Sequence, residues 1–377
     1  MICILVSFML LISCTNENKK SPYTEKIKEL NVGLAIDNYD IIRVDLIDSI
    51  KIIELESSSD DSYVNINSLV LGDDYIYILD FGTSKTIAIF NYEGTYIKKI
   101  KHGQGPGELY NPISLTFDSE KQQLLVIQNS SILSYTPNGN YINTYDLPFH
   151  PMQIESFKDG YLYYLFPLFN GSNSPAYQCE LAFTDKDFNF QKAFIKSNIT
   201  KQVFCPAKYI NRKDNNTLAI GIPLVDTLFS FSNGDVIPEA ILSYSKYKFN
   251  CNLDEDFNWD NFKNDIKCEP YNVFSDGINL ESSKYTYFSL SSYNKANNGF
   301  LWNRQTDSIY CYQYDNDEIP SITAPFTIYK DFFVCISQPY FESKEIIKSH
   351  FLSKEQIEYF NNRNEEENPA LVFIKFK

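Results

Sequence analysis

Asp74-Tyr75-Ile76-Tyr77-Ile78-Leu79-Asp80 alternates apolar and polar side chains, and residues 86–90 do so again. After Asn91-Tyr92-Glu93-Gly94 the alternation resumes over 96–100. A period of two marks strands, and the glycine supplies the positive φ that a tight hairpin needs. The plan then repeats over 113–117, 123–128 and 132–136, followed by Pro137-Asn138-Gly139-Asn140 and a strand at 141–145. Gly94 and Gly139 are 45 residues apart. Further turns fall near Asn189 and at Asn233-Gly234-Asp235, and a fifth is read at Asp315-Asn316-Asp317 beyond an insertion. A period of ~40–50 residues with four short strands is the signature of a propeller blade. No strong amphipathic helix separates the strands, which disfavours a parallel βαβ sheet.

From Tyr39 to the end, two segments break the repeat, at about 246–282 and 341–368. The remainder accommodates six blades of roughly 46 residues. The expected fold is therefore all-β: a six-bladed β-propeller of four-stranded antiparallel blades with short helical insertions. Residues 326–330, 332–336 and 370–376 supply three strands of the last blade. Residues 51–55, from the N-terminal side, supply its fourth and close the ring without an open edge. Ser343 and Ser353 read as helix N-caps for 344–350 and 354–362. A length of 377 residues exceeds what one core usually serves, but small sheets that share neighbours remove that conflict.

Residues 1–13 form an apolar leader too short to span a bilayer as a helix. Leu11-Ile12-Ser13-Cys14 looks like a bacterial lipobox, with Cys14 as the lipidation site and 14–38 as a tether. The departure from the pattern is the absence of Lys or Arg ahead of the apolar run. Thr15 after the cysteine favours the outer membrane in Gram-negative lipoproteins; which face it takes is left open. A net charge of −15 argues against a nucleic-acid partner, and 16% aromatic residues argue against a disordered chain.

Several stretches together resemble the six-bladed β-propeller lipoproteins of Bacteroidota, which are related to NHL-repeat propellers. They are residues 48–56, Ile76–Asp80, His102-Gly103-Gln104-Gly105-Pro106-Gly107-Glu108, and Asn368-Pro369-Ala370-Leu371-Val372-Phe373. The resemblance covers nearly the whole mature chain and implies a fold and an envelope location, with little chemistry.

Gly103-x-Gly105-x-Gly107 lacks the Lys-Ser/Thr of a phosphate loop, and Pro106 removes a donor. It reads instead as the crossing between two blades, with Glu108 accepting backbone N–H groups. Crossings share one rim with the loops joining second to third strands, so His102, Gln104 and Glu108 are candidate ligand contacts. Phe169 and Tyr177 on the loop 165–178, and Trp302 and Arg304 on 302–307, complete the candidate rim set. The three histidines, His102, His150 and His350, do not fall at metal-ligand spacing, and no cofactor is expected. The acidic turn Asp315-Asn316-Asp317-Glu318 is the one candidate for calcium, against its reading as a solvated turn. Cys251 and Cys268 are a candidate disulfide within the insertion, while Cys179, Cys311 and Cys335 read as buried thiols in strands.

Three functions remain open on this reading. The first is a non-enzymatic module binding a glycan or another envelope protein. The second is a propeller enzyme acting on glycans with carboxylates from several blades, and the third a structural or assembly protein.

Overall fold

The computed structural model describes residues 27–57, 62–197, 208–247, 273–292, 298–314, 318–340, 345–346 and 348–377. They form six antiparallel sheets arranged as a propeller. Blade 1 comprises β4 (Ser68–Leu71), β5 (Tyr75–Asp80), β6 (Thr86–Asn91) and β7 (Tyr96–Ile100). Blade 2 comprises β8 (Pro112–Asp118), β9 (Gln123–Gln128), β10 (Ser131–Tyr135) and β11 (Tyr141–Asp146). Blade 3 comprises β12 (Pro151–Phe157), β13 (Gly160–Leu165), β14 (Cys179–Thr184) and β15 (Phe190–Lys196). Blade 4 comprises β16 (Ile210–Arg212), β17 (Thr217–Ile220), β18 (Thr227–Ser232) and β19 (Asp235–Ser243). Blade 5 comprises β20 (Val273–Glu281), β21 (Tyr285–Ser292), β22 (Asn298–Asn303) and β23 (Ile309–Tyr314). Blade 6 comprises β24 (Thr327–Tyr329), β25 (Phe332–Ser337), β26 (Ala370–Phe376) and, as its outer strand, β3 (Ile47–Glu54). The ring thus closes with an N-terminal strand, Val372 pairing with Ile52 and Ile374 with Ile50.

The packing explains why alternation is blurred in the middle of each blade. β13 is buried along its whole length, because both faces of a middle strand meet a neighbouring blade. β11, an outer strand, is exposed on nearly every residue. Among the described residues the apolar core divides into six clusters, each spanning two adjacent blades. Aromatic rings carry much of it: Phe231 meets Phe157, Phe183 and Phe194 at 5.2–5.7 Å between blades 3 and 4. The aromatic content is therefore mainly mortar between blades.

Four expectations need correction. The segment taken as tether through residue 38 is part of the body from Lys28 onward. β1 (Lys28–Asn31) adds parallel to β19, and β2 (Ile41–Ile42) adds parallel to β23. Between them α1 (Val32–Asn38) is capped by the Asn31 side chain on the Leu34 N–H, and Tyr39 at φ 52° ends it. Gly33 is required there, since a Cβ would sit 2.6 Å from the Tyr244 carbonyl oxygen. This belt covers the outer edges of two blades before β3 closes the third, a direct answer to the edge-strand hazard.

The insertion placed at 246–282 is shorter, because β20 is a full inner strand. The fifth hairpin turn lies at 304–308 rather than 315–317, which fall outside the described residues. That turn carries no glycine: the Asn303 side chain takes the N–H groups of Gln305 and Thr306, and Asp307 adopts φ 61°. A search for Gly-bearing turns therefore passes over it. Finally, the described residues of 344–350 are not helical, whereas α2 (Lys354–Asn362) forms with a Ser353/Gln356 capping box.

Candidate functional site

In an antiparallel blade, the crossings and the second-to-third strand loops emerge on one rim, and the other turns on the opposite rim. His102, Gln104 and Glu108 lie on the crossing from blade 1 to blade 2, all exposed. Glu108 is turned into its own loop, taking the Gly105 N–H at 2.8 Å, and a Cβ on Gly103 would meet its carboxylate at 2.0 Å. The His102 Nδ1 lies 2.6 Å from the Leu109 carbonyl oxygen, and its ring stacks on Tyr110. Tyr110 donates its backbone N–H to Gln128, Ser130 pairs with His150, and the His150 N–H reaches the buried Asn170. These bonds tie the loop holding Phe169 and Tyr177 to the same rim, where the two rings are about half exposed.

Trp302 and Arg304 are not part of that rim. Their segment joins the third and fourth strands of blade 5, so it opens on the opposite side. Trp302 is 7% exposed, packed in the core between blades 4 and 5 under the Lys28 ammonium. Arg304 pairs with Glu281 and donates to the Ser282 carbonyl. Both hold blade 5 to its surroundings instead of facing a ligand on that rim. Cys14, Cys251, Cys268 and residues 315–317 of the acidic turn lie outside the described residues. Glu318 of that turn accepts from His350 at 2.5 Å. Cys179, Cys311 and Cys335 are buried, and burial pushes the Cys335 thiol up to about 12.

On the propeller axis a funnel of about 600 Å³ opens on the rim of the first-to-second strand turns. Its wall takes Val70 from β4, Phe117 from β8, Glu155 from β12, Arg212 from β16 and Thr327 from β24. Lys208 Nζ meets Glu155 Oε2 at 2.7 Å, Arg212 Nη2 meets Oε1 at 3.1 Å, and Thr116 donates to Oε1 at 2.9 Å. Arg212 also donates to the carbonyls of Phe117 and Ser156, so one guanidinium ties three blades together. Next to it Lys213 meets Glu281 at 2.6 Å, on the carboxylate that Arg304 also holds. Burial alone would raise the Glu155 carboxyl. Lys208 and Arg212, with the hydrogen bonds of Lys208 and Thr116, outweigh burial and hold it below its usual range.

The same device links blades 2 and 3. Asp118, 1% exposed, takes Lys186 at 2.8 Å, the Tyr161 hydroxyl at 2.7 Å, and the N–H groups of Glu120 and Lys121. Burial opposes ionisation there too, and the Lys186 and Tyr161 hydrogen bonds reverse it, so the carboxyl sits below its unfolded value of 3.8. A depressed acid contributes stability above its unfolded pKa and loses it as pH falls through the folded one. Asp118→Asn is therefore expected to destabilise at pH 7, with the gap to wild type shrinking as pH falls below the unfolded value of 3.8. Urea midpoints across that range check it, and a gap independent of pH would contradict the assignment.

Carboxyls held above their ordinary range are placed elsewhere. Asp276 is raised by burial and accepts the Ser289 hydroxyl on both oxygens, 2.6 and 2.5 Å. Glu54 is raised by partial burial and by Glu367, exposed on the opposite rim from the funnel. Among the described residues no group of three or more His, Cys, Asp or Glu is arranged to hold a metal ion.

Sequence reasoning missed the funnel because it searched loops. The signal was there in charged residues on first strands: Glu155 in Gln153-Ile154-Glu155-Ser156, and Arg212-Lys213 after Ile210-Asn211. A first strand faces the axis, where an apolar face would be expected only if the channel were filled.

A solved structure of a Bacteroides fragilis protein assigned as exported is similar over 93% of this chain and 99% of its own, at TM-score 0.71 and 17% identity. BamB from Moraxella catarrhalis shares 8% identity over 76% of this chain and 75% of its own at TM-score 0.42. A Bacteroides caccae protein of unknown function shares 10% over 65% and 80% at TM-score 0.40. At these identities the first likeness speaks for the fold alone, and the other two carry no argument. No curated protein matches. A family model covers residues 27–375, nearly the whole of the described propeller, and the chain belongs to that family, described as Domain of unknown function (DUF4934).

Proposed function

We propose that the protein is a lipid-anchored, non-enzymatic binding module of the cell envelope, taking a small polar ligand in its axial funnel. The funnel is the observation that carries this reading: a concave site of about 600 Å³, with polar groups converging from several blades. Sites of this size and lining are where proteins hold small ligands. Binding is favoured over glycan cleavage because the funnel's Glu155 is an ionised partner of two cations. A glycosidase needs a protonated acid set opposite a second carboxylate. The anchor rests on Leu11-Ile12-Ser13-Cys14, and the exposed rim of Tyr110, Phe169 and Tyr177 offers a surface for a glycan or an envelope protein.

The test is thermal unfolding of the full chain in detergent against a panel of saccharides, short peptides and calcium. A ligand at a hundredfold excess over its Kd should add ~2.7 kcal/mol. Cys14→Ser should abolish incorporation of radiolabelled palmitate. A panel without any shift would remove the binding reading, and palmitate labelling that survives Cys14→Ser would remove the anchor.

A further inference from the structure

The inner-strand charges of blades 3, 4 and 5 do not balance locally. Glu155 is bound by both Lys208 and Arg212, and Glu281 by both Lys213 and Arg304. Each buried carboxylate, 4% exposed, therefore neutralises one of its two cations and leaves one positive charge over. Lys208, Arg212 and Lys213 all line the funnel, with side chains 17%, 31% and 25% exposed. They are withdrawn from bulk water yet still accessible from inside. At this depth a charge acts more strongly than on a surface, because screening is weaker. The mouth has the opposite sign, with Asp73, Asp214 and Asp331 on its turns. Those carboxylates are engaged by uncharged donors: Ser119 and Gln122 on Asp73, Asn216 N–H on Asp214, and Ser283 on Asp331. Those partners bring no compensating positive charge. Lys330, also at the mouth, offsets only one of them.

From this arrangement we infer that the funnel selects a small hydroxylated ligand with one anionic group, which seats its carboxylate or other oxyanion against Lys208 and Lys213. A neutral ligand leaves the excess cations without a partner, and a polyanion brings further charge against the acidic mouth. The inference rests on the binding reading given above and names the ligand class of the same site.

Glucuronate, glucose and inorganic sulfate distinguish the outcomes, measured by calorimetry on the full chain in detergent at two ionic strengths. Glucuronate is expected to bind more tightly than glucose by at least tenfold, with affinity falling as salt rises. Sulfate, a dianion without hydroxyl groups, should bind more weakly than glucuronate, and sulfate binding as tightly would overturn the hydroxylated, singly charged ligand class. In Lys208→Met/Lys213→Met, Arg212 still neutralises Glu155 and Arg304 still neutralises Glu281, so the fold should persist while glucuronate affinity falls about a hundredfold. Unchanged affinity in a folded double variant would overturn the inference. So would glucose binding as well as glucuronate, although that result would leave the binding module itself standing. Should the double variant fail to fold, Glu155→Gln provides the converse test. It adds positive charge to the floor and must tighten glucuronate binding, and weaker binding would overturn the inference.

Discussion

A chain truncated after Pro369 is expected to lose its cooperative unfolding transition altogether. The missing segment is β26, which pairs on one side with β25 and on the other with β3. Ala370, Leu371, Val372, Phe373, Ile374 and Phe376 are all 4% exposed or less, feeding the cores on both sides of blade 6. At about 1.5–3 kcal/mol for each large apolar side chain, the loss is roughly 10 kcal/mol. That is comparable with the ~5–15 kcal/mol that usually separates folded from unfolded states. The truncation also exposes two strand edges, so aggregation should accompany the loss. Circular dichroism melts and size-exclusion chromatography check this. A monomer melting cooperatively within a few degrees of wild type would show that the ring does not need its closing blade.

The second large effect is expected at Asn368. Its side chain is fully buried and holds the crossing from β3 to β4. Oδ1 accepts the Val64 N–H at 2.9 Å, and Nδ2 donates to the carbonyls of Glu56 and Ser62 at 2.7 and 2.9 Å. The backbone N–H of the same residue donates to the Ser57 hydroxyl at 2.8 Å. Asn368→Leu keeps the approximate volume and removes the acceptor of the Val64 N–H together with the donors to the Glu56 and Ser62 carbonyls. At about 1–3 kcal/mol for each unsatisfied buried group, the cost is ~3–5 kcal/mol. It should appear as a lower urea midpoint at unchanged slope. A change below ~1 kcal/mol would mean that water replaces the amide. The Asn-Pro-Ala sequence at this point thus has a physical reason, since the asparagine ties the last blade to the first.

Much of this molecule is legible in order along the chain. The hairpins ending at Gly94, Gly139 and Gly234 are visible because each turn takes a positive φ that glycine adopts without strain. The closing strand is visible because the strand-like stretch 51–55 and the apolar run 370–376 are left over at opposite ends of a repeat. The buried thiols and α2 follow from equally local rules. Where a local cue is missing, the reading drifts. The Asn303 turn has no glycine, and missing it slid Trp302 and Arg304 from one rim to the other. Residues 28–38 look like the end of a tether because a short parallel strand added to a sheet edge is held by backbone partners and carries no repeat or turn of its own.

The site is a harder case, and charge alone shows why. Among its 33 basic and 48 acidic residues, nothing in the sequence marks Lys208, Arg212 and Lys213 as different from the rest. Their character comes from neighbours 50 to 90 positions away, Glu155, Glu281 and Arg304, and those pairings exist only when inner strands converge on an axis. By itself the sequence determined the repeat, the blade number and the closure, because these depend on periods and turns that each residue carries locally. The tertiary structure decided which turns share a rim, which aromatic rings are core, and where uncompensated charge gathers. Those properties belong to distances between blades, and a linear pattern holds no distances.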